Sequence, residues 1–186
     1  MRFQLTYKIK TAETATSITS RKGPDGLNTV QRLQNVMVDA WNQGVLIFFA
    51  AGNNAIEVSQ DLYPYPMAIS SPHITVGSLS ENWDKAPHSN FGPLVDIYAP
   101  GQNITVLNRR SGVRAVDGTS FASPLVAGMA LTLLAKMDPL PKAEDTARIL
   151  ATQILDLATE HKVGAIPGAG PAEYQRVAFN GGLDPR

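Results

Sequence analysis

A chain of 186 residues, 44% of them hydrophobic, has the length and apolar content of one folded domain of ordinary size. That composition excludes a chain disordered throughout. Lysine plus arginine equals aspartate plus glutamate, 16 against 16, so no basic excess points to nucleic acid or to an anionic membrane. With no cysteine there are no disulfides, thiolate metal sites or cysteine nucleophile, and the redox compartment is not readable. Charged residues make up 17%, below the average of about 25%, which implies extensive burial or a surface that another chain covers.

From the N-terminus, Met1 to Lys8 holds no continuous apolar run, so no cleavable signal peptide is expected. Phe3, Leu5, Tyr7 and Ile9 alternate with polar residues and predict a half-buried strand. Residues 11–27, rich in Thr, Ser, Gly and Pro, predict a loop. Asn28 with Gln31 three residues on resembles a capping pair at a helix start. Val30, Leu33, Val36, Met37, Ala40 and Trp41 then share one helical face, and Gly44 stands where a C-terminal cap belongs.

Val45 to Ala50 is apolar without alternation, the pattern of a strand buried on both faces of a parallel sheet. Helix, glycine and buried strand make half of a βαβ unit, and the fold class is α/β with a mainly parallel central sheet. A second strand is expected at Ile74–Leu79, with shorter ones at Val95–Tyr98 and Ile104–Leu107. The uncharged stretch from Gly118 to Ala135 reads as a buried helix beginning near Ser120 rather than a membrane span, because hydroxyl residues, Pro124 and Gly128 interrupt it. A last helix covers about Ala143 to Ala158, with Ala147, Leu150, Ala151, Ile154 and Leu155 facing inward. Past Lys162, clustered glycine and proline predict a surface tail.

Two stretches carry candidate chemistry. Asp117-Gly118-Thr119-Ser120-Phe121-Ala122-Ser123-Pro124 stands directly before the long apolar helix. A serine there is either an N-cap, whose Oγ accepts from a backbone N–H, or a nucleophile at the positive end of the helix. On composition alone the cap is the commoner outcome. Ala50-Ala51-Gly52-Asn53-Asn54 follows the buried strand, where ligand sites of α/β proteins gather. Its asparagines can donate to a developing negative oxygen, or merely form a turn. Neither Gly-x-Ser-x-Gly nor Gly-x-Gly-x-x-Gly occurs, so an α/β-hydrolase elbow and a Rossmann phosphate loop have no support.

Taken together and in this order, Gly118 to Gly128 closely resembles the nucleophile motif of subtilisin-like serine proteases. Val45 to Asn54 resembles that family's oxyanion strand and loop. Tyr65-Pro66, Ser89-Asn90-Phe91-Gly92-Pro93 and Asp96-Ile97-Tyr98-Ala99-Pro100-Gly101 match as well. The resemblance runs from about Asn28 to Gly128 and more weakly to Asn180-Gly181. The related sedolisins carry an aspartate where Asn53 stands, so Asn53 points to the subtilisin branch. The resemblance implies a subtilisin-like three-layer fold and peptide hydrolysis through an acyl-enzyme on Ser120. It further implies that Asn53 helps hold the oxyanion and that Ala51, Gly52 and Thr119 contact the substrate.

The family's chain order is aspartate, histidine, serine, with the first two before the oxyanion asparagine. Here His73, His88 and His161 all follow Asn53. The aspartates that precede it are Asp25, in a Pro-Asp-Gly turn, and Asp39, inside a helix. None stands in the family's context, and Ile18 to Gly23 does not match the family's substrate-binding strand edge cleanly. The expected organisation is therefore a divergent segment over residues 1–27, followed over residues 28–186 by the C-terminal portion of a subtilase-like domain. That portion is inactive by itself and self-associates or needs a complementing chain. The alternative is a catalytically dead relative that binds peptides or a partner protein. A third expectation is a structural module in which Ser120 only caps its helix. No cofactor is implied for the chemistry. Calcium sites are common in the family, but no run of Asp and Asn at ligand spacing appears, so none is assigned. A protein or peptide substrate is implied, with neither nucleic acid nor membrane as partner. Family members are often secreted; the compartment of this chain stays open.

Overall fold

The structure, a computed structural model, describes residues 24–58, 72–159 and 176–179. The expected strand at Phe3–Ile9, most of the loop at 11–27, Tyr65-Pro66, His161 and the glycine-rich tail with Asn180-Gly181 lie outside the described residues.

Helix α1 spans Thr29–Asn42 and opens as its sequence predicts. Asn28 Oδ1 accepts from the Gln31 amide at 2.9 Å, and Gln31 Oε1 accepts from the Asn28 amide at 3.0 Å. This reciprocal pair satisfies two donors that the helix itself leaves unpaired. The helix closes on Gln43, and Gly44 at φ +82° follows it. Gly44 N–H bonds Trp41 O, and Val45 N–H bonds Ala40 O, both at 2.9 Å, a Schellman closure that needs the left-handed conformation. A side chain at Gly44 would also run into the backbone carbonyl of Ala143, so this glycine seats the start of the last helix. The expected apolar face of α1 is only partly covered: Met37 is buried, whereas Val36 is 63% exposed. Helix α1 packs against helix α3 (Ala143–Leu157).

Strands β1 (Phe48–Ala50), β2 (Ile74–Leu79) and β3 (Ile97–Pro100) form a parallel sheet in the order β1-β2-β3. The register pairs Phe48 with Ile74 and Val76 with Ile97. Every residue of β2 is buried, as befits the central strand. Strand β1 is shorter than the expected Val45–Ala50 and only half-buried. It is the edge strand among the described residues, paired on one side only, so the apolar run there reflects more than its own burial. On the other edge of the sheet, Tyr98 N–H bonds Arg176 O at 2.7 Å and Ala178 N–H bonds Tyr98 O at 2.8 Å.

The expected third strand begins two residues later than its hydrophobicity suggests. Just before it, Asp96 bonds Thr75 of β2 twice, its amide donating to Thr75 O at 3.0 Å and its carboxylate accepting the Thr75 amide at 2.7 Å. Strand β4 (Ile104–Leu107) lies where predicted, and it pairs with an unpredicted β5 (Val113–Val116) in a hairpin. Arg114 and the exposed Val113 hide the alternation that would have marked β5.

Helix α2 (Thr119–Ala135) lies across all three parallel strands, and α3 packs on α2. Ala122, Val126 and Ala130 of α2, with Ile154 of α3, meet Ile74, Val76, Ile97 and Ala99 on one sheet face. On the other face Leu79, Val95 and Tyr98 pack with Ala51, Val58 and Val177. Alternate residues of β2 and β3 thus enter opposite cores, as a strand's period of two requires. Helix α3 buries Ala147, Leu150 and Ile154 as predicted. Among the described residues no helix is long and apolar enough to cross a membrane.

Candidate active site

The carboxyl ends of β1 and β3 open toward the start of α2, and this is where the two candidate stretches meet. The ladder from β1 continues one residue past the strand, with Ala51 N–H bonded to Val76 O at 2.9 Å. The chain then turns at Gly52, whose φ is +99°. Gly52 N–H donates to Thr119 Oγ1 at 3.1 Å. The next residue, Asn53, accepts two bonds on Oδ1, from the Thr119 amide and from Thr119 Oγ1, each at 2.9 Å. Residues 66 positions apart are thereby locked together.

These bonds also settle which way the Asn53 amide faces. With Oδ1 turned to the Thr119 amide, Nδ2 faces away and is left as a free donor among the described residues. The opposite orientation would set two N–H donors against each other.

Helix α2 starts differently from the cap reading. Its N-cap is Gly118, which has no side chain to offer, and Ser120 is the second helical residue. The Ser120 side chain is exposed, and among the described residues nothing is hydrogen-bonded to its Oγ. The first-turn donors are divided. Thr119 N–H goes to Asn53, Phe121 N–H goes to Gly118 O at 3.0 Å, and Ser120 N–H has no acceptor among the described residues. Asn53 therefore caps the helix from outside, where a neighbouring serine or aspartate would usually do so. Pro124 inside the first two turns lacks the N–H that would bond the Ser120 carbonyl. The result is an exposed hydroxyl whose own backbone N–H has no acceptor among the described residues, at the positive end of a helix with no acid in its first turn.

Of the residues expected at the substrate, Gly52 is half-buried and Asn53 is exposed. Ala51 and Thr119 are fully buried. Both polar groups of Thr119 that could reach a ligand are already used on Asn53 and Gly52. Thr119 thus ties the Gly52–Asn53 loop to the start of α2.

No described histidine or acid is bonded to Ser120. His73 sits at the opposite, amino end of β2, edge-on to Phe49 with ring centroids 5.1 Å apart. His88 is half-buried, and its Nε2 is enclosed without a hydrogen-bond partner. Burial lowers its pKa, with Asp117 opposing the effect and Lys85 adding to it. Asp25 is taken up by an exposed ion pair with Arg32 at 2.7 Å, and Asp39 lies exposed on α1. Asp117 closes the β-hairpin by accepting the Asn103 amide at 2.7 Å. Among the described residues no three His, Asp or Glu side chains gather as a metal cage would require, and no calcium site is assigned.

Sequence reasoning missed two linking roles. One belongs to the hydroxyl of Thr119, which links Gly52 to Asn53. The other belongs to Asn90, fully buried beneath the Asn53 loop. A fully buried asparagine is legible only through its partners, which lie more than 30 positions away in the chain.

A strand end, an asparagine loop and a helix-borne serine thus meet at one end of a parallel sheet in an α/β fold. Comparison with known proteins makes that arrangement specific. The subtilase family model matches residues 14–170, and the chain belongs to the subtilase family. An alkaline proteinase of Hapsidospora chrysogena is 36% identical over 149 residues, covering 79% of this chain and 34% of that protein. Subtilisin-like protease 4 of Trichophyton equinum is 34% identical over 152 residues, covering 81% of this chain and 34% of that protein. The chain thus spans about a third of the length of these relatives. Among solved structures, a cold-adapted subtilisin-like serine proteinase superposes with a TM-score of 0.60 at 20% identity, over 86% of this chain and 64% of that one. The patellamide maturation protease PatA superposes with a TM-score of 0.61 at 25% identity, over 79% of this chain and 53% of that one.

Proposed function

We propose that this chain carries the nucleophile and oxyanion hole of a serine endopeptidase that hydrolyses peptide bonds in protein or peptide substrates. The observation that carries this reading is the pair of hydrogen bonds that Asn53 Oδ1 accepts from Thr119, the residue before Ser120, which leaves Nδ2 a free donor among the described residues. Ser120 Oγ attacks the scissile carbonyl carbon, and its proton passes to a histidine base. The carbonyl oxygen becomes an alkoxide held by Asn53 Nδ2 and by Ser120 N–H. Collapse of this intermediate expels the protonated amine and leaves an acyl-enzyme, which water then hydrolyses. Gly52 borders the substrate backbone, while Ala51 and Thr119 fix the loop from behind.

Among the described residues no base is bonded to Ser120, and a serine hydroxyl without an adjacent base is a weak nucleophile. The same observation favours a second reading, in which the chain alone binds peptide at this site without cleaving it. A fluorophosphonate probe separates the two. The chain alone should label far below stoichiometry. A polypeptide that also carries the family's aspartate and histidine segments should label stoichiometrically at Ser120, and Ser120→Ala should abolish the labelling. Absence of labelling at Ser120 in that longer polypeptide would overturn the endopeptidase reading.

A further inference from the structure

We infer that Asn90 is the positioning residue of the oxyanion loop: its buried side-chain amide, rather than the turn chemistry of Gly-Asn-Asn, holds Asn53 in register with Thr119. This rests on the reading of Asn53 as an oxyanion donor. Asn90 is fully buried, and all of its polar atoms are committed. Oδ1 accepts from the Asn54 amide at 3.0 Å and from the Ile56 amide at 3.2 Å. Nδ2 donates to Ala51 O at 2.9 Å. Its backbone N–H donates to Gly52 O at 2.9 Å. One residue therefore grips the loop on both sides of Asn53, at 51 and 52 before it and at 54 and 56 after it. The amide has only one workable orientation, because flipping it would set oxygen against the Ala51 carbonyl and NH2 against two N–H donors.

The contact also explains the glycine beside Asn53. A Cβ at Gly52 would lie 2.5 Å from Asn90 Nδ2, so the amide occupies the space a side chain would need. Asn90 is itself held by residues outside the loop. Ser89 Oγ accepts the Ser78 amide of β2 at 2.9 Å and donates to Asn90 O at 2.9 Å. The Lys85 ammonium donates to Ala86 O and Ser89 O, both at 3.1 Å, and lies 5.4 Å from the centre of the Phe91 ring. The central strand thus positions the turn at 86–91, the turn positions Asn90, and Asn90 positions the loop that presents Asn53. Neither Asn90 nor Lys85 reaches Ser120 by any hydrogen bond, so the effect passes through geometry alone.

Amide hydrogen exchange on the isotope-labelled chain tests this without requiring catalysis. In the parent, the Thr119, Asn54 and Ile56 amides should be protected. Asn90→Ala should raise their exchange about tenfold or more, while the amides of β2 and of the middle of α2 keep their protection. Thr119 is the decisive probe, because its amide bonds Asn53 and not Asn90. Unchanged Thr119 protection would overturn the proposal, and so would a uniform loss across β2 and α2.

Asn90→Asp retains the shape and covers the case in which the alanine variant does not fold. Its protonated carboxyl can still donate to Ala51 O, so Thr119 protection should be near that of the parent at acid pH and fall as the carboxyl ionises. A protection factor that does not change with pH would count against Asn90. In the longer polypeptide that labels at Ser120, Asn90→Ala should lower kcat about 10- to 100-fold with KM little changed. If Asn53 proves not to be an oxyanion donor, kcat will not respond, yet the exchange result will still report on the loop.

Discussion

Replacing Thr119 with valine removes one hydroxyl from a fully buried position while nearly preserving volume. That hydroxyl makes two bonds, accepting from Gly52 N–H at 3.1 Å and donating to Asn53 Oδ1 at 2.9 Å. Each neutral bond contributes about 0.5–1.5 kcal/mol net, and a buried donor left without a partner costs about 1–3 kcal/mol. Asn53 Oδ1 keeps its bond to the Thr119 amide and stays satisfied, whereas Gly52 N–H is left without an acceptor. The expected loss is therefore about 2–3 kcal/mol. For a chain of this size that corresponds to a Tm lowered by roughly 4–12 °C. Thr119→Ser keeps both bonds and loses only a methyl group, so it should cost about 1 kcal/mol. Urea and thermal unfolding of the three proteins, followed by circular dichroism, give the comparison. If the valine variant unfolds with the parent, or the serine variant is destabilised as much as the valine one, the hydroxyl does not join the two stretches as described.

In the longer polypeptide that labels at Ser120, Asn53→Ala should lower kcat by about 10²–10³, roughly 3–4 kcal/mol, with little change in KM; the figure is that known for the corresponding subtilisin asparagine. Asn54→Ala should cost much less, and the reverse order would mean that the donor is Asn54. Burial raises the Asp96 carboxyl above its ordinary value of 3.8, against the lowering influence of the Thr75 amide, His73 and Arg176. The unfolded carboxyl then ionises first as pH rises, so the folded state holds more protons and stability falls from pH 3.8 up through the raised value. Asp96→Asn keeps an acceptor for Thr75 N–H and should remove that slope from the urea midpoint; an unchanged slope would assign it to another group. Because β1 is paired only to β2 among the described residues and is half-buried, the chain should self-associate through that edge. Sedimentation showing a monodisperse monomer across a wide concentration range would show the edge to be covered.

Local chemistry in the sequence was sufficient wherever partners lie within a few positions of one another. The Asn28–Gln31 capping pair, the Gly44 closure of α1, the bounds of β2 and the inward face of α3 are all readable in this way, because short-range bonds and periodicity decide them. The two stretches that form the site were also readable as motifs, and their order pointed to the subtilase family. Tertiary structure decided which hydrogen bonds each residue in them makes. By sequence Ser120 is a plausible cap, but the cap position falls to Gly118, and Asn53 reaches over from β1 to satisfy the helix end. Thr119, expected at the substrate, is fully buried and bonds both Asn53 and Gly52. Asn90 carries no sign of its part in the site until the fold brings residue 90 beneath residues 51–56. At the start of β3, Asp96 bonds Thr75 across the sheet, and α1 packs against the distant α3 with part of its apolar face left exposed. In each case the deciding bond or contact joins residues far apart in the chain, so it depends on where the backbone has been carried and not on which residues stand next to one another.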